Sequence, residues 1–282
     1  MNEKFRNLVP DSAPVQEVIE LLRSNGGRAP CVDIAEAVLQ LPGLDPSLAA
    51  LVLSDFIEGE GDWRLRVAEE TCEVEMLCED DECRQLGEAD FVVFDLETTG
   101  PKTPPCRVME LGAIRVSRGR IVAEFQTLIN PLMPIPPFIA GLTGISDSMV
   151  STAPTFDEVA EDWLNFAQDA VLVAHNAPFD VRFINHELSL LFPGQRMANP
   201  HLCTVSLARR VMPELSSFRL TALAEHFSVP HRSRHRAGDD ARATAEVFLL
   251  LLESLHRHGV RDLAGARRFR KQWSAAAADS RA

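Results

Sequence analysis

The sequence contains no tyrosine, no pair of cysteines at CxxC spacing and no uninterrupted apolar run long enough to cross a bilayer. A membrane-spanning helix needs about 18 or more consecutive apolar residues, so that class is excluded. The opening MNEKFRNLVPDSAP lacks the apolar centre of a secretory signal, and the expected location is cytoplasmic, with no membrane partner. The six cysteines (Cys31, Cys72, Cys78, Cys83, Cys106, Cys203) therefore read as reduced thiols. Cys72, Cys78 and Cys83 cluster, but without the fourth ligand and tight spacing of a zinc site. With tyrosine absent, the core falls to aliphatics and to 15 phenylalanines; the apolar fraction of 46% is enough to bury one without disulfides.

A length of 282 residues allows one large domain and one small one. The net charge of −13 is at first sight wrong for an enzyme that handles phosphodiesters, because such binding draws on Lys and Arg. Its distribution removes the objection. Residues 1–90 hold 7 basic and 21 acidic residues, which leaves residues 91–282 at +1.

Within 1–68 the pattern predicts three short helices (14–24, 31–40, 46–57), a turn at 58–62 and a strand at 63–67, the order of a small helical, winged-helix-like domain. The third helix would be the one in a DNA groove, yet it has no Lys or Arg, so a protein-interaction module is favoured over DNA binding. Residues 69–88 are densely acidic, with at most a short strand, and read as a linker or solvated edge. From 89 to 256 apolar strand runs alternate with helical patterns. Strands are expected at 91–96, 108–116, 120–129 and 170–174, and helices near 155–168, 178–191, 203–211, 219–227 and 239–256. The fold class is α/β, a mixed sheet flanked by helices. Residues 257–282 read as a basic and then Ala-rich tail.

Three segments carry the chemistry. In FVVFDLETTG (91–100) a buried-strand run meets Asp95 and Glu97 as it ends, and period-two alternation points both carboxylates to one side. Ligand sites of open α/β sheets gather beyond such strand ends. In AHNAPFD (174–180) Pro178 suits the first helical turn, which places Asp180 close to the preceding strand end. In HRAGDDARATAEVF (235–248) His235 precedes two acids at a helix start. Asp240 shares a face with Ala243, Thr244, Val247 and Leu251, while Asp239 falls in line with Arg242 and Glu246, so Asp240 is the inward carboxylate and Asp239 a cap or solvent residue. Four inward carboxylates suit Mg²⁺ or Mn²⁺ rather than zinc. Two such ions with a neutral histidine fit phosphodiester hydrolysis.

These motifs, with RVMELGAIRV, GLTGISDSMV (141–150) and LCTVSLARRVMP (202–213), resemble the DEDDh family of 3′→5′ exonucleases in the ribonuclease H-like superfamily, and most closely the DNA polymerase III epsilon-type proofreading domains. The resemblance implies a five-stranded ribonuclease H-like mixed sheet over 89–256 and a two-metal mechanism. It implies that Asp95, Glu97, Asp180 and Asp240 hold two ions, Mg²⁺ or Mn²⁺, and that His235 is the general base. The sister branch uses Tyr in that position, and this chain has none. The resemblance also places the terminal nucleotide against Thr98, Thr99, Leu142, Thr143 and Phe179, with Leu142 and Phe179 equally readable as core. His175 reads as structural or substrate-adjacent. The substrate is expected to be single-stranded or frayed DNA 3′ ends, with RNA 3′ ends as the alternative. A binding protein with an idle nuclease fold is the third reading, but no ligand of the set is missing. A protein partner for the acidic N-terminal domain is expected, a DNA polymerase subunit being the candidate. The stretch ahead of the first motif keeps both proofreading and free-standing repair or turnover open.

Overall fold

The computed structural model describes residues 5–77, 81–231 and 235–271. The chain forms two compact units, one from 1–83 with 192–198 and the other from 84–191 with 199–282.

The first unit runs β1 (Leu8–Pro10), α1 (Ala13–Ser24), β2 (Arg28–Pro30), α2 (Cys31–Ala37), α3 (Pro46–Glu60), β3 (Leu65–Ala68) and β4 (Glu73–Met76). In α1 the apolar residues Val15, Val18, Ile19 and Leu22 recur at helical spacing and are all buried. Helix α3 starts at Asp45, whose Oδ1 accepts from the N–H groups of Ser47 (3.1 Å) and Leu48 (3.2 Å), and stops at left-handed Gly61. Strands β2, β4 and β3 form a three-stranded antiparallel sheet in that order. Its central strand, β4, lies inside the acidic stretch read as a linker or solvated edge. Val74 is fully buried, whereas Glu75 turns to Arg66 (2.7 Å) and Arg28 (3.4 Å), so ion pairs across the sheet carry what looked like an unstructured charge run.

In the second unit, β5 (Asp90–Thr98), β6 (Val108–Ser117) and β7 (Arg120–Leu128) form the antiparallel meander predicted by the sequence. Helices α4 (Pro137–Thr143), α5 (Asp147–Val150) and α6 (Phe156–Ala167) lead to β8 (Val171–Ala174) and α7 (Ala177–Leu191). Strand β9 (Gln195–Met197) pairs with β1 in the first unit. Strand β10 (His201–Cys203) then returns to this sheet, followed by α8 (Thr204–Val211), α9 (Leu220–Phe227), α10 (Ala237–Arg257) and α11 (Leu263–Arg268). The sheet is mixed, with order β10-β8-β5-β6-β7; β8 runs parallel to β5 and to β10. Helix α11 lies in the stretch read as a tail, yet Leu263 and Ala266 are fully buried in the main core.

Two layers cover the sheet. On one face Phe94 of β5 packs on Trp163 of α6 (ring centroids 5.3 Å apart). On the other, Phe91 meets Phe248 of α10 edge-on at 4.9 Å. That second contact sets the level of the chemistry. From Phe91 to Asp95 the strand climbs about 13 Å. From Phe248 back to Asp240 the helix climbs about 12 Å. With the aromatic pair as anchor, Asp95 and Asp240 arrive at the same height. The helix also comes close to the sheet there, because a Cβ on Gly112 of β6 would lie 2.3 Å from the backbone of Ala237.

Candidate active site

The β5–β6 register slips between Glu97 and Thr98, a bulge immediately after the second carboxylate of the strand. Up to it, Asp95 and Glu97 continue the side of Phe91 and Val93, which faces α10. Ligand atoms of Glu97, His235 and Asp240 all lie within 4.8 Å of one another. Asp180, in the first turn of α7, is buried at 3% exposure and accepts from the backbone N–H of Leu96, the residue between Asp95 and Glu97. Asp95 is in the electrostatic field of Asp180, Asp240 and Glu97 together. All four sequence-predicted carboxylates thus converge beyond the carboxyl end of β5, with the exposed His235 at the rim.

His235 sits at φ 60°, a conformation uncommon for a side-chain-bearing residue, and its backbone N–H donates to Asp240 Oδ2 at 3.0 Å. His231 Nε2 contacts the other oxygen, Oδ1. The sequence singles out no role for His231, which lies nine residues before Asp240. Asp239 is exposed, as expected. The nitrogen Nδ1 of His175 lies 2.9 Å from Thr204 Oγ1, joining the end of β8 to the start of α8, and burial lowers its pKa to about 4. Burial thus favours the neutral imidazole.

Among the residues proposed to touch a nucleotide, the three threonine side chains have internal partners. Thr98 Oγ1 donates to Gly100 O (2.8 Å), Thr99 Oγ1 accepts from Arg107 N–H (3.0 Å), and Thr143 Oγ1 donates to Ile139 O (3.0 Å). Leu142 is 44% exposed, and Phe138, one helical turn earlier, 78%. Phe179 is half-buried against Phe183, ring centroids 4.8 Å apart.

A fifth carboxylate near the cleft, Glu110, is placed differently. It is fully buried on β6, opposite Glu97, and accepts from Arg236 Nη2 (2.8 Å), Gln126 Nε2 (3.0 Å) and the Ala237 N–H (3.0 Å). Its charge is matched by Arg236 and it caps the start of α10. Glu187, in the middle of α7, is likewise matched, by Arg107 Nη2 (2.7 Å), and also accepts from the Val108 N–H (3.0 Å), which ties α7 to the start of β6. Neither was singled out from the sequence; the signal was a charged residue inside an otherwise apolar pattern, VMELGAI and FINHELSL.

Among the described residues, none of the four cleft carboxylates is paired with an arginine or lysine as Glu110 and Glu187 are. Burial first, then the charges of Asp180, Asp240 and Glu97, hold Asp95 well above the usual carboxylate range. Asp180 is raised mainly by burial as well. Burial and the nearby Asp240 and Glu110 push Glu97 from 4.5 to about 8, and Arg236 only partly opposes this. Such a cluster of oxygen ligands, repelling one another and without cationic side chains at its centre among the described residues, fits a hard divalent cation.

The pH consequence has a definite sign. Without a cation the folded chain keeps a proton on Glu97 up to about pH 8, while the unfolded chain releases it near 4.5. The stabilisation is complete below the lower value and is lost as pH rises through the upper one. In EDTA the melting temperature is expected to fall from pH 5 to pH 8, and less steeply in Glu97→Gln; Mn²⁺ should restore stability most at the alkaline end. Equal slopes for the two proteins in EDTA would contradict this.

A family model described as Exonuclease matches residues 92–248, more than half the chain. The chain belongs to the exonuclease family. It is 44% identical over 176 residues to a PolC-type DNA polymerase III of Caldanaerobacter subterraneus, covering 62% of this chain and 12% of that one. It is 40% identical over 182 residues to the DNA polymerase III epsilon subunit of Aquifex aeolicus, covering 64% and 90%. The chain thus spans only a small part of the polymerase relative and most of the epsilon subunit. Two solved exonucleases share the fold. Exonuclease I of E. coli with a dT13 oligonucleotide aligns at a TM-score of 0.52, 18% identity, over 61% of this chain and 43% of that one. The nuclease domain of 3′hExo, a DEDDh member bound to rAMP, aligns at 0.50, 18% identity, over 60% and 94%. The sheet and its flanking helices are those of the ribonuclease H-like exonucleases. No helix among the described residues is long and apolar enough to cross a membrane.

Proposed function

We propose that the chain is a metal-dependent 3′→5′ exonuclease acting on DNA ends, and the observation that carries this is the convergence of Asp95, Glu97, Asp180, Asp240 and His235 in a chain of the exonuclease family. Asp95, Glu97, Asp180 and Asp240 would hold two ions, Mg²⁺ or Mn²⁺. When bound, such ions neutralise phosphoryl charge and clamp the attacking and leaving oxygens of a displacement.

The remaining work belongs to the side chains. His235, exposed at the rim beside Glu97 and Asp240, takes the proton of the attacking water. Glu110 fixes the start of α10, which carries Asp240, and Glu187 ties the middle of α7, the helix that carries Asp180, to the start of β6. The segment at Thr98 and Thr99 would meet the terminal sugar, with its hydroxyls and the Thr99 N–H (2.9 Å to the Arg107 carbonyl) held by internal partners. Leu142, with Phe138 beside it, offers an apolar platform to its base. DNA is favoured over RNA because two relatives of 40% identity or more are DNA polymerase III components, although another, at 45%, is a putative bifunctional exonuclease/endonuclease protein. For the same reason a polymerase subunit is the partner proposed for the acidic N-terminal unit.

The test uses 5′-end-labelled single strands of DNA and RNA of one sequence, with Mg²⁺, with Mn²⁺ and with EDTA. Stepwise shortening from the 3′ end that is faster on DNA and absent in EDTA is expected. Degradation that persists in EDTA, or none at all, would overturn the proposal.

A further inference from the structure

Next to the carboxylate cleft the charge reverses. A cavity of about 220 Å³ is lined by Pro178, Cys203, Ser206, Arg210 and Arg267, among others. A second, of about 330 Å³, shares Ser206 and Arg210 and adds Arg209, Arg270 and Lys271. No carboxylate lines either one. Both cavities lead away from the cleft. Pro178 stands two residues before Asp180 in α7, and Cys203, at the end of β10, lies within electrostatic reach of Asp180. A second connection runs through Arg209, whose guanidinium lies 5.7 Å from the ring of Phe218, a residue whose backbone contacts His175 beside the cleft.

The cations of this groove fall into two groups. Arg210 is structural: its Nη1 donates to the carbonyls of Ala266 and Arg267, and its own carbonyl accepts from the Lys271 N–H at 3.0 Å. These bonds fasten the end of α11 to α8 and bring Arg270 to the groove wall. Lys271 is partly neutralised by Glu214 at 3.2 Å. Arg209 and Arg270, by contrast, are exposed and have no carboxylate partner among the described residues. In a chain of net charge −13, unmatched guanidinium groups on one wall mark a place for an anion.

We infer that this groove holds backbone phosphates of the single strand whose 3′ end occupies the carboxylate cleft, with Arg209 and Arg270 as the phosphate contacts. The inference rests on the exonuclease reading and adds a distal binding track to it. Phosphate contacts fix position without reading sequence, so the track lengthens the bound strand and leaves base preference unchanged.

The experiment measures binding of fluorescein-labelled single strands of about 4 and about 12 nucleotides, lengths that bracket common single-strand footprints. The full chain is used, with Ca²⁺ in place of Mg²⁺ and across a salt series. The double variant Arg209→Gln/Arg270→Gln is compared with Arg118→Gln/Arg120→Gln, which removes the same charge from the β6–β7 turn at the other end of β5. Each phosphate contact on a single strand contributes about 0.7 to the slope of log K against log salt, so the groove variant should lose about 1.4. Its preference for the longer strand should fall at least about tenfold, and the turn variant should match wild type. Wild-type slope and length preference in the groove variant would overturn the inference, as would an equal loss in the turn variant. Melting curves of both variants check that they fold. Because binding is read apart from hydrolysis, a wild-type chain that fails to shorten any strand removes the exonuclease proposal, whereas an unchanged slope removes only the groove.

Discussion

His235→Ala should lower kcat by about 10²–10⁴-fold, the scale of a lost general base, while KM and the melting temperature stay close to wild type. The side chain is exposed at the rim, so its removal leaves no cavity and no orphaned partner. Asp240 keeps its bond to the His235 backbone N–H, which the substitution does not touch. Added imidazole should restore part of the rate if the lost group is a proton acceptor; a merely structural histidine would show no such rescue. Unchanged kcat in the variant would remove His235 from the mechanism and point to His231, the other imidazole on Asp240.

Glu110→Ala should do something different: destabilise the fold and slow the reaction together. The carboxylate is fully buried and holds four donors, two of them on Arg236. Removing one partner of a buried ion pair costs about 3–5 kcal/mol. Arg236 is 36% exposed at its side chain and water can reach it, so the lower end, about 3 kcal/mol, is expected. The start of α10 then loses its tether to β6, and with it the positions of Asp240 and His235. A misplacement of about 1 Å can cost about 10²-fold in rate. Glu110→Gln keeps an acceptor and most of the shape, and should recover much of both losses. Chemical denaturation alongside steady-state kinetics checks the pair. Activity lost at full stability would instead make Glu110 a direct participant in the site.

The contrast between Glu110 and its neighbours bears on what the sequence revealed. The cleft carboxylates were legible because each sits where an apolar pattern ends: Asp95 and Glu97 after FVVF, Asp180 after Pro178, Asp240 on the apolar stripe of α10. Period two and period 3.6 suffice to orient them. Glu110 lies inside an apolar run and Glu187 on the apolar face of α7 with Phe183, Ile184 and Leu188, and their partners Arg236 and Arg107 are 126 and 80 residues away. Nothing local says that a buried glutamate will be matched.

The fold was legible to a similar depth. The long strands and the five long helices of the second unit were read within a few residues. Strands β9 and β10, three residues each, carry too little pattern to stand out. The acidic stretch showed only a possible short strand, which is β4; charge density masked the alternation around Val74, and Glu75 pairs across the sheet with Arg66 and Arg28. His231 could not be assigned because it stands outside any helical or strand pattern, so no spacing relates it to Asp240.

The central claim concerns the four carboxylates, and the most direct measurement sets wild-type protein beside Asp95→Asn on a 5′-labelled single strand in Mn²⁺. The account predicts stepwise 3′ shortening by wild type and a loss of two orders of magnitude or more in the variant, the scale on which members of one catalytic unit fail. In EDTA the variant should melt no lower than wild type, since a buried carboxylate among like charges has been neutralised. Comparable shortening by the two proteins in Mn²⁺ would contradict the account.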